Sequence, residues 1–257
     1  MTTHWIIVFA AILAYMSWAF FVAQKAKRLD VVDAAWGGAF IVGAVVSLLL
    51  GPKGWLQFLT TGLVVLWGLR LSLHILGRLR RTKEDGRYEE MRRRWRGNPA
   101  FNAYVRIFLV QAILAMVISV AVIAINFSHS VHSLLWVAIG VIVWLTGFLF
   151  EAIGDRQLKN HLLDPENKGK LMTSGLWRYT RHPNYFGEAT QWWGIYFVAV
   201  GVNCAWWTIL SPIVITGLLL FVSGVPLTER YFEDKPGWKA YKKQTSAFIP
   251  LPPRKSK

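Results

Sequence analysis

Apolar residues along the chain gather into runs of about twenty, separated by short stretches dense in Lys and Arg. Seven runs stand out, at about 5–24, 31–50, 55–77, 103–127, 134–153, 189–208 and 210–226. Each is long enough to cross a hydrocarbon core of roughly 30 Å as a helix. The pattern predicts an all-α integral membrane protein of seven transmembrane helices, folded as a single membrane domain over 1–257. The first run has no basic segment before it and continues into Trp18, Phe20 and Phe21, so it reads as a retained helix rather than a signal peptide. No repeat at a fixed period stands out, and the terminal PLPPRKSK is the only low-complexity stretch.

The segments between runs alternate in charge. Residues 25–30, 78–102, 154–188 and 227–257 hold twenty-six of the 29 Lys and Arg, and the segments on the other side hold only Lys53. The positive-inside rule then places the N-terminus outside and the C-terminus in the cytoplasm. The formal net charge is +15 at 54% hydrophobic residues. A disordered chain lacks that apolar surface, and a nucleic-acid-binding domain of this basicity is less greasy, so the expected partners are the bilayer and its lipids, with no nucleic acid. Attraction to anionic lipid, about 1 kcal/mol per cation, accounts for much of the charge. The lone Cys204 excludes a disulfide framework and a thiolate pair, and the outer-loop His129 and His132 read as a chance pair, so no metal is expected. Most of the 14 Trp, such as Trp5, Trp55, Trp206 and Trp207, fit an interfacial belt. Oligomeric state is left open.

Ionisable residues inside a span are costly and call for a partner or a task. Asp30 and Asp33 open the second run on one helical face, beside Ala34, Ala35, Gly37 and Gly38, which permit close approach of a neighbouring helix. Asp30 reads as an N-cap; Asp33, a turn deeper, reads as functional. Arg70 and His74 share a face of the third run, and they either snorkel or join Asp33 in a polar, catalytic cluster opening to the cytoplasm. Arg106 lies close enough to a span end to snorkel. Glu151, Asp155 and Lys159 form an acidic-then-basic stripe at the end of the fifth run. It is either a local ion-pair ladder or, if buried, a set of acceptors for a sugar or amide.

Residues 174–196, SGLWRYTRHPNYFGEATQWWGIY, are densest in specific polar types. Arg178, Tyr179, Arg181, His182, Asn184, Tyr185 and Glu188 fall within eleven residues, and Pro183 suits the first turn of a helix. Cations and free backbone N–H groups at a helix start favour an anion.

This segment resembles the C-terminal domain of the steroid 5α-reductase superfamily, with the related sterol C14-reductases, and the likeness is to an uncharacterised bacterial branch. GVPLTERYF followed by KPGWKAYKKQTSAFIP is similar to that family's C-terminal signature, and DVVDAAWG and LWGLRLSLH…EDGRY fit the bacterial branch. The RHPNY core is also shared with isoprenylcysteine and phospholipid methyltransferases, which bind S-adenosylmethionine there.

The resemblance implies an NADPH-dependent oxidoreductase, in a bacterial inner membrane, that saturates a polarised C=C bond of a lipid substrate. NADPH enters from the cytoplasmic side, and the cofactor half spans about 134–257. Carried over by motif, Asn184 and Glu188 meet the nicotinamide end, and Asp155 and Lys159 add contacts from the preceding helix. Arg87 and Tyr88 lie near the phosphates, and Arg178, Arg181, Arg230 and Tyr241 clamp the pyrophosphate and 2′-phosphate. No GxGxxG follows a strand, so the site is not a Rossmann site. Asp33 stands where steroid reductases carry a substrate-polarising Glu. Their Tyr on the third span has no counterpart there, which leaves Arg70 or His74 as the electrophile and points away from a 3-ketosteroid substrate. An S-adenosylmethionine-dependent lipid or prenylcysteine methyltransferase is the alternative. Thr228-Glu229-Arg230 stands where those enzymes carry paired glutamates, and the extra Arg favours the more phosphorylated ligand. A transporter would carry broken helices near mid-bilayer instead.

Overall fold

A computed structural model of the chain describes residues 2–254; Met1 and the last three residues of the PLPPRKSK tail lie outside the described residues. Helices and loops account for the described residues, apart from one isolated bridge between Thr180 and Ser246. The chain divides into two compact units. One takes the residues up to His132 with Val202–Thr208, and the other takes Ser133–Gly201 and the chain from Ile209 onward.

Unit 1 begins with three long helices, α1 (Thr2–Ala26), α2 (Val31–Leu50) and α3 (Trp55–Leu79). The breaks follow local chemistry: Gly51-Pro52 ends α2, and Gly54, in extended conformation, opens α3. The α2–α3 crossing is close because glycine faces glycine; a Cβ on Gly68 would lie 2.7 Å from the Gly37 carbonyl oxygen. Lipid tails are as apolar as Leu, so close van der Waals packing of small residues holds such crossings. A short, strongly charged α4 (Gly86–Arg94) follows. Asn98 then caps α5 (Pro99–Ala103), accepting N–H bonds from Ala100 at 2.9 Å and Phe101 at 3.2 Å. A π-helical turn at Tyr104–Leu109 leads into α6 (Val110–Ile118) and α7 (Val120–Asn126). At the far end of this bundle the Asn126 amide donates to Ser47 at 2.8 Å, Ala44 O at 3.0 Å and Thr61 at 3.1 Å, pinning α2 and α3 to α7.

Unit 2 is built on α8 (Leu134–Leu163) and α9 (Pro183–Gly201). Gly140, Gly147 and Gly154 recur every seventh residue on α8, as Gly187, Gly194 and Gly201 do on α9, a repeat that the hydropathy pattern does not reveal. The two rows meet antiparallel. A Cβ on Gly147 would lie 2.6 Å from Gly187 O, and one on Gly194 2.7 Å from Gly140 O, so the backbones touch. The 30 residues of α8 rise about 45 Å, well beyond a bilayer core. The helix thus runs ten residues past its expected end at 153 and carries Glu151, Asp155 and Lys159 continuously. From Ile209 the chain continues through α10 (Leu210–Gly217), α11 (Val225–Phe232) and α12 (Trp238–Gln244). The tail then lies along residues 179–181: Arg181 N–H donates to Ser246 O at 2.9 Å, and Leu251 N–H to Tyr179 O at 3.0 Å.

Among the described residues six helices are long and apolar enough to cross a membrane: Thr2–Ala26, Val31–Leu50, Trp55–Leu79, Pro99–Ile118, Leu134–Leu163 and Trp206–Phe232. This all-α, multi-pass architecture matches the expected class, with six such helices where seven spans were expected. The difference is α9. It starts six residues earlier than the run at 189–208 and ends at Gly201, so its nineteen residues include Asn184, Glu188 and Gln191. These polar residues lower its apolar character below that of the other six.

Candidate functional site

In unit 1 the polar residues converge on Asp33. The Tyr88 hydroxyl donates to Asp33 Oδ1 at 2.6 Å, across 55 residues of sequence. The other oxygen, Oδ2, is a buried atom without a hydrogen-bond partner, and the guanidinium nitrogens of Arg87 and Arg78 stand 3.5 Å and 3.9 Å from it. Tyr88 is the buried side chain of α4, 6% exposed. Burial, followed by the nearby Asp33 charge, pushes its phenol well above the ordinary range.

The segment before Tyr88 is fixed by its own ion pairs. Asp85 caps α4 by accepting Arg87 N–H at 3.0 Å, and it also accepts Arg87 Nε–H at 3.0 Å. Burial opposes the Asp85 carboxylate, but these bonds prevail and hold it below the usual carboxylate range. Asp30 occupies the N-cap position of α2 without capping it. Its oxygens instead take the Arg28 fork at 3.0 Å and 2.8 Å and the Asp85 N–H at 3.1 Å.

Arg70 and His74 both lie on α3, Arg70 half-buried and His74 exposed. The face of α3 that packs on α2 carries Gly68 and Ser72, both against Gly37. At about 100° per residue, Arg70 and His74 point roughly 200° and 240° around from Gly68. The hydroxyl that bonds Asp33 belongs to Tyr88, from a segment that the family resemblance places near phosphates. Its only local signal was the Asp-Gly-Arg-Tyr helix start, which says nothing of a partner 55 positions away.

In unit 2 the predicted cofactor residues separate into two sets. Glu151, Asp155, His182 and Glu188 are buried, at 2%, 7%, 2% and 8% exposure. Glu151 accepts from the Gln191 amide at 2.6 Å, joining α8 to α9 just beyond the Gly147–Gly187 contact. Asn184 Oδ1 is buried without a hydrogen-bond partner at the start of α9. Lys159, Arg178 and Arg230 are exposed, as is Tyr179.

The second set holds the tail. Arg181, 7% exposed, donates to Glu229 Oε1 from Nε at 2.9 Å and Nη2 at 2.5 Å, and from Nη1 to Lys242 O at 3.1 Å and to Thr245 O. Lys242 adds a 3.1 Å ion pair to Glu229, and the Tyr185 and Thr228 hydroxyls bond at 2.9 Å. The Tyr241 hydroxyl donates to Trp177 O at 2.5 Å, and burial raises its phenol above the ordinary range. Arg181 and Tyr241 thus bond to protein partners, whereas Lys159, Arg178 and Arg230 of the same predicted set are exposed. His182 stacks on Tyr185 at 5.2 Å, 3.5 Å from Glu229. Burial pulls its imidazole below the ordinary value even though Glu229 acts in the opposite sense.

The chain is similar to a curated protein of Schizosaccharomyces pombe called uncharacterized protein C9.08c, with 25% identity over 165 residues. That match covers 58% of this chain and 57% of the yeast protein, so the chain spans a little over half the length of its curated relative. The family profile described as "Protein of unknown function (DUF1295)" matches residues 19–245, which includes Asp33, Tyr88 and the α8–α9 pair. The chain therefore belongs to the DUF1295 family, which is loosely related to steroid-reductase-like folds.

Proposed function

We propose that this chain is an NADPH-dependent membrane reductase acting on a polarised C=C bond of a lipid. We place it in a bacterial branch of the steroid 5α-reductase superfamily, in the inner membrane. The observation that carries the reading is the 2.6 Å bond between Tyr88 and Asp33. It supplies, from α4, the tyrosine–carboxylate pair for which the third span offers no tyrosine. With a proton on Oδ2, Asp33 accepts Tyr88 through Oδ1 and donates through Oδ2 to the substrate's oxygen. That hydrogen bond stabilises the negative charge developing on the oxygen as the conjugated carbon accepts a hydride, and a proton from water then adds to the neighbouring carbon to complete the saturation. Arg78 and Arg87, half-exposed beside Oδ2, add positive field at the same place.

NADPH, when bound, supplies the hydride. The residues of unit 2 suit such a ligand. Asn184 Oδ1 is an unused buried acceptor for a carboxamide N–H, Glu188 is a buried carboxylate one helical turn away, and Arg178, Arg230 and Lys159 are exposed cations for phosphates. In this reading α9 is the sixth of seven crossings, the N-terminus is outside, and the basic ends meet the cytoplasm.

The test is ligand-dependent melting of the purified protein. NADPH should raise the melting temperature, NADH less, and Arg178→Ala should reduce the difference. Stabilisation by S-adenosylmethionine alone would overturn the reductase reading in favour of a methyltransferase.

A further inference from the structure

The α4 helix has nine residues and one buried side chain, Tyr88. Helices shorter than about 12–15 residues are marginal in isolation, and one buried ring does not offset the ordering of the whole segment. Its position therefore depends on other bonds, and the structure displays them as a reciprocal exchange. Asp30, at the start of α2, takes the backbone N–H of Asp85 at 3.1 Å, and Glu84, just before α4, takes the backbone N–H of Leu29 at 2.6 Å. Each carboxylate reaches across 55 residues to the other's strand of chain. Each is also gripped by an arginine fork, Arg28 on Asp30 and Arg92 on Glu84. Arg28 continues to Leu79 O at 2.8 Å and Thr82 O at 2.9 Å, fixing the end of α3. Tyr88 lies four residues beyond Glu84, so this exchange determines where its hydroxyl falls.

We propose that Asp30 and Glu84 are positioning residues: their reciprocal bonds dock α4 on the start of α2 and so hold the Tyr88 hydroxyl on Asp33. The inference rests on the reductase reading for its catalytic consequence, but the docking itself does not. Asp30 leaves its N-cap role unfilled in order to take the Asp85 N–H, which is the mark of a tertiary rather than a local task. The other carboxylates of α4 serve the helix surface. Glu89 pairs with Arg93 at 2.7 Å and Glu90 with Arg94, both pairs well exposed.

The experiment uses the full chain labelled with fluorotyrosine and read by fluorine NMR, with the Tyr88 resonance assigned by its loss in Tyr88→Phe. In the native protein this buried phenol should ionise well above the ordinary tyrosine range. In Glu84→Gln and in Asp30→Asn the Tyr88 resonance should shift to a solvent-exposed position and titrate in the ordinary range. Turnover should fall roughly tenfold with NADPH affinity unchanged, the effect of losing a charge-assisted hydrogen bond. Glu89→Gln should move neither signal. An unchanged Tyr88 resonance in both folded variants would overturn the proposal, whatever the activity does. If the native protein reduces nothing with NADPH, the reductase reading fails alone and the phenol titration still decides the docking. Should Asp30→Asn and Glu84→Gln not fold, Arg92→Gln removes only the outer fork on Glu84 and carries the same readout.

Discussion

The two units place their polar residues by opposite means. In unit 2 Glu151, Glu188 and Gln191 ride on a helix pair whose backbones touch along two rows of glycines, so their positions follow from steric contact. In unit 1 Tyr88 rides on a nine-residue helix tied down by carboxylates and guanidinium groups around it. Close packing is stiff and permits one arrangement. Bonds between partly exposed charges are softer and are screened by solvent. The chain thus combines a packed platform of buried carboxylates with an element held by ion pairs, and substitutions should separate the two.

The largest effect should come from the platform. Gly147→Leu or Gly187→Leu would force a side chain into the opposing backbone, where even a Cβ meets atoms at 2.5–2.7 Å. We expect destabilisation of more than about 3 kcal/mol, read as loss of monodisperse protein or a collapsed melting temperature. Gly77 and Gly217 have nothing within 4 Å of the corresponding Cβ, so Ala there should be tolerated. Equal tolerance at Gly147 would break the comparison from its rigid side.

Next in size is the proposed catalytic pair. Tyr88→Phe and Asp33→Asn should each lower turnover by about a hundredfold, in the usual range for a positioned proton donor. The melting temperature should move little, because Phe keeps the buried ring that α4 contributes and Asn keeps the shape of Asp33. A large loss of stability with unchanged turnover would turn the pair into a packing contact.

Arg181→Ala probes a charge-held part of the rigid unit. It leaves Glu229 with Lys242 and His182 but without its fork, and it frees the tail carbonyls at Lys242 and Thr245. Removing one partner of a buried pair is strongly destabilising; with Lys242 still present we expect about 2 kcal/mol, measured by thermal or denaturant unfolding. NADPH-induced stabilisation should survive. Its selective loss would restore the phosphate-clamp role that the sequence suggested.

The long apolar runs made the all-α membrane class legible, since hydropathy registers burial in lipid directly. Span edges were less so. α8 outruns its apolar stretch because helix geometry continues through Glu151 and Asp155, whereas the start of α9 at Pro183 was legible from the proline and not from hydropathy. The glycine rows escaped because Gly is nearly neutral in hydropathy, and their meaning lies in the partner helix. Asp33 stood out because a carboxylate inside a span needs a partner, but identifying Tyr88 as that partner required the fold of 55 intervening residues. The family resemblance implies a ligand clamp at Arg181, whereas Glu229, 48 residues later, pairs with that charge.

The smallest effect is a pH dependence that distinguishes the two kinds of attachment. Burial depresses the His182 imidazole below its ordinary value of 6.5, with Glu229 opposing and Arg181 adding to the depression. The unfolded chain takes up this proton as pH falls through 6.5, whereas the folded chain resists until lower pH. His182 therefore contributes stability above 6.5 that is lost as pH falls toward its folded value. Asp85, in the α4 docking, is held below 3.8, so its contribution stays in place over the same window and disappears only in stronger acid. Melting curves of the full chain between about pH 8 and pH 5 should thus decline through the tail's histidine and not through Asp85. His182→Asn should flatten that decline, and Asp85→Asn should lower the whole curve without changing its slope. A slope unaltered by His182→Asn would remove the histidine from the tail's stability and leave Arg181 and Lys242 to hold Glu229 alone.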